Sequence, residues 1–313
     1  MRDEELRSQP FPDTFDNTML STYAECPRRL YWFLRGLDYQ IPPSYFTWGR
    51  CWGLVLNTWY ETQGSVRERF EAAIKTGKKA WLEEALPDAE EMSKLDTWEN
   101  LEASFLDYIE AYGPQEHWHH VKGGAELGFQ FPVPGTEIYY AGSIDAYIEW
   151  TGYGKLVRED KSTGAYITET YLRQWRHSSQ VTGYYWALGQ LLGEEPFGVL
   201  MNITSKRPRK ERDLRFQRDL IKKSPWQVEQ FMKDTILLAA RIQESWKTWT
   251  WPKLGERLLY ACSGGPGKSA CLYQNLCLQE AEPWELEDKY DFSQEFLWRE
   301  HPWKPWRRKG EGK

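Results

Sequence analysis

The sequence predicts an α/β fold in which a mixed central sheet is flanked by helices. Three observations carry that expectation. From Leu20 to about Gly113 the chain reads as a run of helical stretches. Between Ala125 and Lys161 the pattern changes to alternation broken by turn residues. Beyond Lys161, helix-like and strand-like stretches succeed one another, as they do in an α/β body.

Taken in order, residues 1–18 read as a mobile arm. Leu20 to Gly36 predicts one helix, with Ser21 near its start and Gly36 at its end. Trp48 to about Phe70 is a second amphipathic stretch, and a charged helical region continues to about Gly113 with a break near Pro87. The segments AELGFQFPV, EIYYAGSIDAYIEW and TGYGKLVREDK predict three strands, with turns at Pro134-Gly135 and at Gly152-Tyr153-Gly154. Gln174 to Leu192 predicts a helix and Phe197 to Thr204 a strand. A basic loop, KRPRKER, leads to a strand around Leu214 to Leu220, and Pro225 to Trp249 predicts a long helix. There is no internal repeat and no low-complexity linker. Residues 19–290 therefore read as one domain: helices over 19–113, a core over 120–220, and a helix with a cysteine-bearing segment over 224–290. Residues 291–313 form a basic, tryptophan-rich tail.

Composition limits the function classes. The 313 residues are 41% hydrophobic and 27% charged, which is ordinary for a globular chain. Eighteen tryptophans supply large flat rings, which fill cores or stack on bases. The net charge of -6 counts weakly against nucleic acid as a partner, because acidic metal ligands and local phosphate contacts are compatible with it. No apolar run is long enough to span a membrane, and the polar amino end lacks the pattern of a secretory leader. Five cysteines without an export signal point to a reducing, cytoplasmic setting, where clustered thiols are metal ligands or reactive groups. The phosphate-binding GxxxxGK[ST] pattern is missing, so no intrinsic ATP-driven helicase activity is expected.

The stretch that carries chemistry is Gly142-Ser143-Ile144-Asp145, followed by Glu159-Asp160-Lys161. Adjacent antiparallel strands bring Asp145 beside Glu159, and strand alternation places Glu159 and Lys161 on one face. Two carboxylates there can hold Mg²⁺ or Mn²⁺, with the backbone carbonyl of Asp160 as a further oxygen. Lys161 can orient a water or offset charge that develops on a phosphate. An isolated D…ExK pattern is more often a surface hairpin with scattered charges. Three further features weigh against that: Glu126 on the preceding strand, Gln180 and Tyr184 on one face of the following helix, and the cysteines.

Cys262, Cys271 and Cys277 fall in one glycine-containing stretch, and Cys26 is the candidate fourth thiolate. Four thiolates suit a [4Fe–4S] cluster or a zinc ion; the alternative is reduced cysteines used as small apolar residues. Cys51, inside an apolar helix, reads as core. Lys206, Arg207, Arg209, Lys210 and Arg212 form a basic loop that suits either phosphate contact or a solvated turn. Arg307, Arg308 and Lys309 form a second, tail cluster. His117, His119 and His120 precede the site strands at a spacing that fits no helical ligand pair.

Together, GSIDAYIEW, VREDKST and QVTGYYWAL resemble the RecB-like branch of the PD-(D/E)xK nucleases. That branch includes the CRISPR-associated RecB-like exonucleases, the AddB nuclease domain and many phage exonucleases. The resemblance runs from about Leu20 to Cys277. It implies a restriction-endonuclease-like core, metal ligation by Asp145 and Glu159, and a catalytic role for Lys161. It further implies DNA positioning by Gln180 and Tyr184, with Glu126 at a less strict acidic position. ECPRRLYW and the three later cysteines match the branch's cluster pattern, which implies that Cys26, Cys262, Cys271 and Cys277 hold iron and sulfide and tie the two ends of the chain together. The first gap in the tail, eight residues, is longer than the common two. The branch often carries a metal-binding histidine four residues after a helix glycine; Gly53 stands there, after Gly49. The implied activity is metal-dependent DNA exonuclease action on ends or single strands, alongside recombination, repair or CRISPR-adaptation proteins. The alternatives are a non-catalytic DNA-binding module that keeps the cluster and a zinc-stabilised scaffold.

Overall fold

The computed structural model describes residues 2–40, 43–84, 94–113, 116–209, 212–258, 261–264, 270–279 and 281–299. The expected break near Pro87, Lys210 and the basic tail cluster at Arg307, Arg308 and Lys309 lie outside them. In chain order the elements are α1 (Asp3–Arg7), β1 (Thr14–Asp16), α2 (Asn17–Glu25), α3 (Pro27–Arg35), β2 (Leu37–Tyr39), α4 (Ser44–Glu61), α5 (Val66–Glu84), α6 (Trp98–Tyr112), β3 (Trp118–Pro132), β4 (Tyr139–Trp150), β5 (Gly154–Thr163), α7 (Glu169–Arg176), α8 (Ser179–Leu192), β6 (Gly198–Ser205), β7 (Phe216–Ile221), α9 (Pro225–Thr248), α10 (Gln274–Leu278) and β8 (Phe296–Trp298). Among the described residues no helix is long and apolar enough to cross a membrane. The described residues divide into two compact units, the first within 1–40, 130–142 and 229–307 and the second within 41–129 and 143–228.

In the first unit, the expected single helix over 20–36 is two helices. Cys26 ends α2 and starts α3 in an extended conformation, because Pro27 has no N–H to continue the α2 ladder but suits the first position of a new helix. Gly36, at φ 87°, closes α3 in the left-handed region that a helix end favours. The expected mobile arm instead holds α1 and β1. Asp3 accepts a hydrogen bond of 2.5 Å from the Tyr31 hydroxyl, and Phe15 on β1 is fully buried. Strand β1 pairs in parallel with Tyr139–Ala141, the first residues of β4, and Tyr140 meets Phe231 of α9 edge to face. Strands β2 and β8 pair antiparallel. Arg35 is buried among Tyr31, Trp32, Phe292 and Trp298, with Glu287 as its ion-pair partner.

The second unit is built on a mixed sheet. Strand β4 runs antiparallel to β5, β5 parallel to β6, and β6 antiparallel to β7, while β3 pairs with β4. The β4–β5 hairpin turns where expected, with Gly152 at φ 83° and Gly154 at φ 94°. The crossover from β5 to β6 carries two helices rather than one. The break falls at His177–Ser178, where Ser178 caps α8 by accepting from the Val181 N–H. Trp48, Cys51, Trp52, Val55 and Trp59 of α4 are buried in the core shared with α5 and α6, so Cys51 is a packing residue. Gly77 of α5 lets the two helices touch: a β-carbon there would lie 2.3 Å from Val55.

Candidate active site

The β4–β5 ladder places Ala146 opposite Arg158, so Asp145 and Glu159 are the next pair, at the point where the two strands part. Their side chains share a face, with Lys161 two residues further along. The Asp160 N–H donates to Asp145 Oδ2 at 2.9 Å, and Lys161 Nζ lies 2.5 Å from Glu159 Oε1. Glu159 is 1% exposed, and its Oε2 has no hydrogen-bond partner among the described residues. Lys161 keeps a quarter of its side chain in solvent.

Electrostatics mark the same three residues. Burial, then the charge of Asp145, pushes the Glu159 carboxyl up to about 8. Burial also raises Asp145, with Lys161 acting against it. Burial acts to lower Lys161, but Glu159 and Asp145 outweigh it and hold the ammonium above the ordinary lysine range. Two buried carboxylates pressed together, one oxygen left without a partner, and an ammonium open to solvent fit the donor set of a divalent cation. Mg²⁺ is held by one or two carboxylates and completes its shell with water and phosphate oxygens.

A profile described as the PD-(D/E)XK nuclease superfamily matches residues 17–278. The chain belongs to this superfamily. No curated protein sequence is significantly similar to it. Among solved structures it is similar to a protein named SSO0001, at 12% identity and a TM-score of 0.32, over 75% of this chain and 81% of that one. It is also similar to a candidate exonuclease of Eubacterium rectale, at 12% identity and a TM-score of 0.38, over 77% of this chain and 84% of that one.

Around the PD-(D/E)XK core, the other expected residues are placed unevenly. Gln180 Nε2 donates to the Tyr184 hydroxyl at 2.8 Å, so the two share one face of α8, which packs against β5. Glu126 takes the left-handed conformation, φ 47°, which re-aims a side chain where β3 departs from regular extension. Gly49 of α4 approaches Ser162, and Asn57 of α4 bonds Arg158; Gly53, between them, faces open space.

One expectation is corrected. Lys206 is not a phosphate contact: it is buried and paired with Asp96 at 2.5 Å, because its backbone is tied to the end of β5 and its side chain turns inward. His120 points away from the Asp145–Glu159 face. It bonds Arg158, which strand alternation puts opposite Glu159 and Lys161. Burial, then Arg158, drives its pKa down to about 2, so it is neutral.

The residues that sequence reading missed lie on that opposite face. Arg158, fully buried, donates twice to Asp160 Oδ2, at 3.2 and 2.8 Å, and to Asn57 Oδ1 at 2.8 Å. Asn202 Nδ2 donates to Asp160 Oδ1 at 2.7 Å. Arg218 joins Tyr108 and Glu116 to the same layer. Asp160 is thus pinned by its side chain while its N–H orders Asp145. The available signal was an arginine directly before Glu159-Asp160-Lys161, two residues after the buried Leu156 on the same face of β5.

In the first unit, Cys26, Cys262, Cys271 and Cys277 line one recess, together with Gly255. A β-carbon at Gly255 would lie 3.4 Å from the Sγ atoms of both Cys26 and Cys262, so glycine leaves the thiols their space. The Cys271 N–H donates to Cys262 O at 2.9 Å. Burial pushes the Cys277 thiol up to about 11 and raises Cys262 and Cys271 as well. Among the described residues, no three His, Cys, Asp or Glu side chains are drawn into the arrangement that holds a single metal ion.

Proposed function

We propose that this PD-(D/E)XK nuclease is a Mg²⁺- or Mn²⁺-dependent deoxyribonuclease that trims DNA ends or single strands. The observation that carries the reading is Glu159: a buried carboxylate beside Asp145 with one oxygen unpartnered. Asp145 and Glu159, with the Asp160 carbonyl, would hold the cation. A cation bound there would neutralise charge on the scissile phosphate and make a nearby water more acidic. Lys161, the member of the group with solvent access, orients that water and meets charge developing on the phosphate. Gln180 and Tyr184 position the strand. Trimming of this kind is a step that recombination, repair and CRISPR adaptation share. The test is degradation of end-labelled single- and double-stranded DNA with either ion. Wild type should shorten the label, and Glu159→Gln and Lys161→Ala should each lose most of the activity. The double variant should be little worse than either, because the residues act as a unit. Normal cleavage by Lys161→Ala overturns the assignment; DNA binding without cleavage by wild type makes the chain a binding module.

A second cofactor reading rests on the thiol recess. Four thiols that line one recess suit either a four-iron cluster or a single zinc ion, and the cluster is the reading proposed. Brown protein with stoichiometric iron and sulfide after oxygen-free purification is the expected result. Colourless protein with one zinc would replace the cluster by a zinc scaffold.

A further inference from the structure

Beyond Lys161, β5 ends at Thr163, and the next aromatic residue, Tyr166, stands 53% exposed. The loop that carries it is tied down. The Lys206 N–H donates to Thr163 O at 2.8 Å, Ser205 Oγ donates to Ala165 O at 2.9 Å, and Arg207 Nε donates to Gly164 O. Two guanidinium groups gather at the ring: Arg209 Cζ lies 3.9 Å from its centroid and Arg207 Cζ 5.5 Å. Unlike Lys206, neither arginine is in an ion pair with a carboxylate among the described residues. Arg209 Nε is shielded from water and has no hydrogen-bond partner among them. Positive charge and an exposed ring therefore lie side by side on two loops, one after β5 and one after β6, that are hydrogen-bonded to each other. Tyr166 follows Lys161 by five positions, a reach of at most about 18 Å.

We propose that Tyr166, Arg207 and Arg209 form a platform that grips single-stranded DNA entering the site. The ring stacks an unpaired nucleobase, and the arginines meet the flanking phosphates. The inference rests on the nuclease reading and narrows its substrate. A base within a duplex is already stacked on its neighbours and cannot use the ring, whereas every unpaired base has a free face. Arginine beside tyrosine suits this task, since a guanidinium both lies flat on the ring and forks onto a phosphate.

Binding is measured in chelator, so that no cleavage intervenes, by fluorescence anisotropy of a labelled oligonucleotide. Tyr166→Ala should weaken single-strand affinity about fivefold or more, the low end of base–aromatic stacking. Tyr166→Phe, which keeps the ring, should bind within about twofold of wild type by the same reasoning. Blunt duplex affinity should be unchanged in both, and an abasic oligonucleotide should not distinguish Tyr166→Ala from wild type. Arg209→Gln should flatten the salt dependence by about 0.7 in log–log slope, one phosphate contact on a single strand. Wild-type affinity in Tyr166→Ala, or equal losses on single strand and duplex, overturns the platform. Wild type that holds single strands through Tyr166 yet never cuts with Mg²⁺ or Mn²⁺ overturns the nuclease reading and leaves the platform standing.

Discussion

Arg158→Met removes a cation that is fully buried and replaces it with an apolar chain of similar reach. Asp160 then loses both guanidinium bonds and keeps Asn202 Nδ2 at 2.7 Å as its remaining side-chain partner, with only 4% of its own side chain exposed. Breaking one half of a buried ion pair costs about 3–5 kcal/mol. The expected loss is therefore about 3–5 kcal/mol at pH 7. Urea unfolding followed by tryptophan fluorescence measures it. Asp160→Asn and the double variant complete a cycle, in which the double should cost clearly less than the sum. A loss under about 1 kcal/mol at pH 7, or strict additivity, would refute the claim that this pair carries the layer behind the site.

Gly53→His should fold, since a β-carbon there meets nothing within 4 Å, and should lower the Mn²⁺ concentration needed for cleavage; an unchanged requirement in a folded variant shows that position 53 does not reach the ion. His120 has its pKa lowered from 6.5 to about 2 in the fold, so below pH 6.5 the unfolded chain takes a proton that the native protein does not. Native stability should fall from that pH downward by about 1.4 kcal/mol per unit for this group, and His120→Gln should remove that part of the slope in urea midpoints measured from pH 7 to 5. Cys26→Ser should lose iron and sulfide and melt earlier, because metal binding by residues far apart in sequence becomes folding free energy, whereas Cys51→Ser should keep its metal content. Equal metal loss in both variants, by elemental analysis, removes Cys26 as a ligand.

Much of the β4–β5 hairpin could be read from local pattern. Alternation, two turn glycines and a fourteen-residue spacing were enough to put Asp145 beside Glu159, because an antiparallel hairpin is a local structure whose register follows its turn. Long helices such as α9 were legible for the same reason. What escaped were features decided by distant partners. Phe15 sits in a short polar segment, and only its pairing with β4 explains why it is buried. Lys206 looked like the first residue of a basic loop; Asp96, more than a hundred residues away, turns it inward. The helix break at Cys26 was written in Pro27 but hidden by the apolar continuity of the residues on both sides.

The strand that carries Glu159 and Lys161 has one near neighbour and one far one. Pairing of β5 with β4 needs only a three-residue turn, whereas pairing with β6 requires the whole crossover through α7 and α8. Hairpins form in about 1–10 μs, and parallel pairing across a long connection is slower. Asp145 and Glu159 therefore become neighbours while still in water, where two charges 4 Å apart repel by only about 1 kcal/mol. Their repulsion grows when β6 and α8 close over them and the water leaves. The pair therefore meets its least comfortable electrostatics only when the slower pairing with β6 is made, after the hairpin that holds the two residues together.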